Sequence, residues 1–141
     1  MRAAIFRELL GQSPRMRAAL LRYTHVFFNH IALTAACAHF HSLEQRCCRW
    51  LLMTHDRMAS DTFLLTHEFL AMMLGVRRAG VSVAAGALQR AGMIRYHRGR
   101  VTILDRKGLE DCACECYAVT KAEFDRLLGA ARPRGRDAGR L

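Results

Sequence analysis

LTHEFLAMMLGVRRAGVSVAAGALQRAGMIRYHRGRVTIL, residues 65–104, is the stretch whose reading decides the fold. Thr66 precedes an apolar run and can cap a helix N-terminus through its side-chain oxygen, while Glu68 suits the positive end of that helix. The run stops at Gly75, so a helix is predicted over 67–74. A second helix is predicted from about residue 78 to residue 91, with Gly92 just beyond its end. The turn between them is very short, and two helices crossing steeply need a small side chain at the crossing, which Ala71 supplies. Gly75, four positions later, tolerates the positive φ that such a turn favours. Leu70 and Leu74 are predicted to fill the inner face of the first helix, and Val76, Val81 and Ala84 to lock the second one back onto it. Residues 93–96 and 101–104 then alternate like two strands, joined through residues 97–100 in a hairpin turn containing Gly99. These features together predict a winged helix-turn-helix.

Upstream, Ser13 and Pro14 open a long helix, as a cap and a first-turn residue. Leu21, Thr24, Phe28, Ile31, Ala35 and Ala38 follow at alternating spacings of three and four, which is a heptad-like seam. We read it as a dimer interface in preference to an ordinary core helix within one subunit. Ser42-Leu43-Glu44-Gln45 has capping-box spacing, so another helix is expected to start at Leu43 and fade near residues 59–61. Downstream, helices are expected near 107–116 and 122–128. The fold class expected is mainly α with a small β-hairpin wing, a winged helix-turn-helix domain preceded by a long dimerisation helix. The expected segments are a short lead without clear period (1–12), the dimerisation and connecting helices (13–62), the winged helix-turn-helix (63–128) and a disordered basic tail (129–141).

The formal net charge is +10, and it is unevenly spread. Residues 66–107 hold 7 Arg and 1 Lys against 2 acids, whereas residues 108–128 hold 2 basic residues against 5 acids. A basic excess concentrated on one small unit points to a polyanion. On the predicted second helix, Arg77 and Arg78 lead into a major groove, where arginine reads guanine. Ser82 is a candidate for a base edge or a phosphate, and Gly80 lies between them. Thr66 and the N–H groups beside it suit a phosphate. Arg95, Arg98 and Arg100 on the hairpin suit the DNA backbone. The expected partners are double-stranded DNA carrying a palindromic operator, a second copy of the chain, and RNA polymerase.

Other signals are weaker. Between Arg22 and Glu44 there are 21 residues without Asp, Glu, Lys or Arg, long enough to span a bilayer. His25, Asn29, His30, His39 and His41 within it would be costly in hydrocarbon, so an interface helix is expected and no membrane partner. The opening MRAAIFRELL breaks its apolar run too early for a secretory signal. A cytoplasmic location with the six cysteines as free thiols is therefore expected. On one helix Cys112, Cys114 and Cys116 would face different sides, so they are read as buried structural cysteines and no metal or other cofactor is expected. No Gly-rich phosphate loop, G-x-S-x-G or apolar carboxylate pair occurs, so no enzyme is expected.

Residues 49–110, RWLLMTHDRMASDTFLLTHEFLAMMLGVRRAGVSVAAGALQRAGMIRYHRGRVTILDRKGLE, resemble the C-terminal half of Crp/Fnr-type bacterial transcription regulators. The resemblance covers about residues 13–128 and is most specific in LTHEFLAMMLGVRR, LQRAGMIRYHRGRVTILD and the trailing CECY. It implies a dimer helix over 15–41, a recognition helix over 77–91, a wing over 94–104, and a two-fold symmetric operator. Two departures stand out. The family carries an N-terminal β-barrel sensor before the dimer helix, where this chain has residues 1–12, so the effector pocket is expected to be absent. Ala79 stands where many relatives have glutamate, and Gly80, Val83 and Gly86 add little reach, so base readout is expected to lean on DNA shape and phosphates. Two alternatives accompany this reading: a helical module that silences sensor-bearing relatives by heterodimerising with them, and a thiol or metal sensor acting through residues 112–116.

Overall fold

The computed structural model describes residues 2–129. Residues 2–33 with 120–129 form one unit, and residues 34–119 form another. The expected basic tail lies outside the described residues except for Gly129.

The first unit opens with a helix the sequence did not announce, α1 (Ala3–Gln12). It buries no residue. Ser13 follows in extended conformation and its Oγ accepts from the Met16 N–H at 3.3 Å, starting α2 (Pro14–Phe40). The unit's other helix is α7 (Cys116–Leu128). Asn29 of α2 donates to Glu123 of α7 at 3.2 Å, and the His30 and Phe124 rings meet edge to face.

In the second unit α3 (Leu43–His55) begins with the full capping box: Ser42 accepts from the Gln45 N–H, and the Gln45 side chain accepts from the Ser42 N–H. The helix ends at His55, earlier than expected, and His55 turns inward. Its ring is 8% exposed, with Nε2 2.7 Å from Asp61 Oδ1 and Nδ1 accepting from Arg106 at 2.9 Å. Arg106 also pairs with Asp56 at 2.7 Å, to which the Tyr117 hydroxyl donates at 3.0 Å. Burial, and next the Asp56 charge, push the Tyr117 hydroxyl up to about 12.

The sheet has the order β1-β3-β2, built from β1 (Thr62–Leu64), β2 (Ile94–His97) and β3 (Arg100–Ile103), all antiparallel. β1 is an unforeseen third strand; three residues are too few to show a period. Alternation is clean across the register. Phe63, Val101, Ile94 and Ile103 are buried, while Arg95 pairs with Thr102 and His97 with Arg100 on the opposite, solvated face. The buried face meets Leu51 and Leu52 of α3 and Leu109 of α6 (Arg106–Cys112) in one core. Each such fully buried leucine contributes roughly 1.5–3 kcal/mol relative to exposure.

α4 (His67–Leu74) and α5 (Arg78–Arg90) complete that core. They meet at 107°, within the range of about 90–120° for a helix-turn-helix. Ala71 is buried at the crossing, together with Leu70, Leu74, Val81 and Ala84. Gly75 has φ 64 and ψ 38, and its N–H returns to the α4 carbonyls. No single helix among the described residues is long and apolar enough to cross a membrane; the bent pair α4 and α5 passes only when taken together. The helix expected over 107–116 is instead broken: α6 stops at Cys112 and Ala113 is extended. All six cysteines are free, and burial pushes the Cys47 thiol up to about 12.

Gly75→Ala is expected to lower stability by about 1–2 kcal/mol, the cost of a Cβ in the left-handed region. No atom lies within 4 Å of the Cβ position, so the loss is backbone strain alone. Gly75→Asn should lose less, because asparagine tolerates that region. Urea denaturation of the three proteins measures the difference.

Candidate nucleic-acid interface

Three of the sequence-predicted residues, Thr66, Arg78 and Ser82, meet at the first turn of α4. Thr66 caps it, its Oγ1 accepting from the Phe69 N–H at 3.1 Å. The next two residues reach α5: His67 Nδ1 lies 3.0 Å from Ser82 Oγ, and Glu68 Oε1 lies 2.8 Å from Arg78 Nε. The hairpin reaches the same turn from the other side. Leu65 N–H donates to the Gly99 carbonyl at 2.8 Å, a Cβ on Gly99 would stand 3.6 Å from Thr66 Cγ2, and the Tyr96 hydroxyl donates to the Leu65 carbonyl. The His67 and Tyr96 rings lie 4.3 Å apart. One helix end thus braces both the start of α5 and the tip of the wing.

The wing tip is a two-residue turn with positive φ at both positions, Arg98 at 46 and Gly99 at 74. Two such residues give the twist that matches a hairpin's strands. Arg98 therefore stands at the apex, exposed, with Arg95 and Arg100 exposed on the strands beside it. Arg77 is the N-cap residue of α5 without a side-chain cap bond, and is also exposed.

Two residues are not free in the way the sequence suggested. Arg78 is already paired with Glu68, although both side chains are more than 60% exposed. An exposed pair of this kind is worth about 0–1 kcal/mol. Ser82 shares its hydroxyl with His67. A third, Gly80, turns inward rather than outward: a Cβ there would sit 3.1 Å from Leu43 Cδ2 of α3. Its place is a close approach of α5 to α3.

His67 was passed over, while Glu68 was read only as a helix-end residue and Val83 as adding little reach. Val83 is 68% exposed on α5, on the turn after Arg78, and apolar contacts of this type suit a thymine methyl. The signal for His67 was its place directly after the cap. Its pKa is lowered from 6.5 by burial and then by the Arg78 charge, with Glu68 opposing, and its Nε2 is buried without a hydrogen-bond partner among the described residues.

The expected dimer residues lie along α2. Leu21, Phe28 and Ile31 are 65%, 69% and 52% exposed, and Thr24, Ala35 and Ala38 are exposed with them.

Residues 45–112 match the Crp-like helix-turn-helix domain family. Among solved structures, a transcriptional regulator assigned to the Crp/Fnr family from Eubacterium rectale ATCC 33656 aligns with a TM-score of 0.60 at 24% identity, over 78% of this chain and 51% of that one. The catabolite activator protein of Thermus thermophilus aligns with a TM-score of 0.47 at 24% identity, over 70% and 43%. The chain spans about half the length of the solved structures it matches. No curated protein matches it.

A folded-state pKa lowered below 6.5 means that the unfolded chain takes up the proton first as pH falls. The contribution of neutral His67 is present above about pH 6.5 and declines below it. Urea midpoints at pH 7.5 and 5.5 should therefore differ less in His67→Asn than in the unchanged protein. An equal difference in both would remove His67 from the site's pH response.

Proposed function

We propose that this chain is a sequence-specific DNA-binding regulator of transcription that acts as a homodimer, a reading supported by the match of residues 45–112 to the Crp-like helix-turn-helix domain family. The observation that carries the reading is the first turn of α4, which is bonded both to the start of α5 and to the wing. In such a domain the second helix enters the major groove with its N-terminal residues leading. Arg78 reads guanine through O6 and N7, worth about 1–3 kcal/mol of discrimination. Releasing it from Glu68 costs less than that, so the pair orients the guanidinium without blocking it. Arg77, Ser82 and Val83 complete the groove-facing set. Thr66 and the N–H groups beside it take a phosphate, and Arg95, Arg98 and Arg100 take the flanking backbone.

The dimer reading is supported by the exposed stripe on α2. Three large apolar side chains at heptad spacing face solvent in the single chain, and a second α2 packed knobs-into-holes would cover them. A two-fold dimer places its recognition helices about one helical turn of DNA apart, so the operator is a palindrome.

Selection of random duplex DNA by the purified protein is expected to yield such a palindrome. Arg78→Ala should weaken the selected site far more than random DNA. Arg98→Asn, which keeps the left-handed turn, should weaken both alike and reduce the salt slope by about 1. An unenriched pool whose binding vanishes at moderate salt would sink operator recognition. Phe28→Glu is expected to give monomers in analytical ultracentrifugation with the winged domain still folded; a persistent dimer would remove the seam.

A further inference from the structure

The break between α6 and α7 brings together what a continuous helix would have kept apart. Because Ala113 is extended, with φ −68 and ψ 152, Cys114 and Cys116 turn to the same side. They meet Cys37 in the last turn of α2 and His41 just beyond it, all within residues 34–119. One ligand atom from each of the four lies within 4.8 Å of the others. Cys37 Sγ is 3.5 Å from Cys114 Sγ, and Cys116 Sγ is 3.7 Å from His41 Nδ1. The three cysteines are at most 4% exposed, and the His41 side chain is 16% exposed.

We propose that Cys37, His41, Cys114 and Cys116 form a structural zinc site of the three-cysteine, one-histidine type. Zinc bound tetrahedrally at about 2.3 Å from sulfur sets neighbouring ligands about 3.8 Å apart. The two measured pairs already stand near that spacing, and the widest separation needs to close by about 1 Å. The histidine is oriented for the task. Nδ1 points to the sulfurs, while Nε2 lies 3.2 Å from Glu115 Oε1. That is the arrangement in which a carboxylate fixes the tautomer of a ligating imidazole.

A second observation points to the same charge. Arg49 is 4% exposed, and only its Nη2 has a hydrogen-bond partner, Thr34 Oγ1 at 3.1 Å; Nε and Nη1 are buried without one among the described residues. A buried guanidinium without a counter-charge is costly. Three thiolates around a dication carry one net negative charge, and Arg49 acts electrostatically on Cys37. With four protein ligands the site is closed, so its work is to pin the end of α2 to the junction of α6 and α7. The metal's binding free energy then becomes folding free energy. The inference is independent of the DNA-binding reading.

The full-length chain, purified under reductant and stripped with a chelator, is titrated with Co²⁺, and Co²⁺ is then displaced by Zn²⁺. Expected are the visible bands of tetrahedral cobalt with thiolate ligands, saturation at one equivalent per chain, and a higher melting temperature with Zn²⁺. Glu115→Gln should weaken binding by about 10–100-fold and leave the stoichiometry intact. Cys114→Ser should weaken it at least as much, and Cys112→Ser should leave it unchanged. A folded chain that gives no saturable cobalt bands overturns the proposal. So does equal loss in Cys112→Ser, or a Cys37–Cys114 disulfide in place of metal under reductant.

Discussion

The left-handed residue at Gly75 is the constraint on which the domain rests. It ends α4, returns an N–H to the α4 carbonyls and sets the 107° angle at which α5 departs. That angle lets Ala71 lie buried at the crossing and lets Val81, Ala84 and Leu88 of α5 enter the core. A wider or narrower bend would take those side chains out of register with α3 and the sheet. Arg46 of α3 donates to the Leu74 carbonyl, so the carbonyl freed at the helix end is satisfied from outside.

The wing is held by a different logic. Its strands bury one face and leave the other wet, a pattern antiparallel sheets allow. β2 is tied back to α5 where the Gln89 side chain accepts from the Tyr96 N–H at 2.7 Å. The turn at Arg98 and Gly99 is in turn tied to the cap of α4. Position and strength are thus separated: backbone and apolar contacts fix where the arginines stand, and the arginines themselves contribute little to holding the fold.

What was legible in the sequence was local. The Ser42 box, the Thr66 cap, the stop at Gly75, the end of α5 before Gly92 and a hairpin turn containing Gly99 all depend on residues within four positions of one another. What was not legible depends on distant partners. β1 exists because Thr62–Leu64 lies beside β3. The break at Ala113 carries no Gly or Pro to announce it, and with it was hidden the meeting of Cys114 with Cys37, 77 positions away. Two of the candidate DNA-reading side chains were foreseen without their companions, since neither the His67–Ser82 bond nor the Glu68–Arg78 pair has a fixed sequence spacing that would announce it. The approach of Gly80 to Leu43 was not legible either, because alanine, glycine and valine give α5 too faint a polar stripe for its orientation to be read.

Gly80 also bears on how such a domain can change over generations. With Leu43 Cδ2 3.1 Å from where its Cβ would be, a larger residue needs the Leu43 side chain to give way by a few tenths of an ångström. The exposed positions around it, Arg78, Ala79, Ser82 and Val83, can change without touching that contact. The glycine separates the part of the helix free to drift from the part that must stay, and so confines innovation in target choice to a short window of residues.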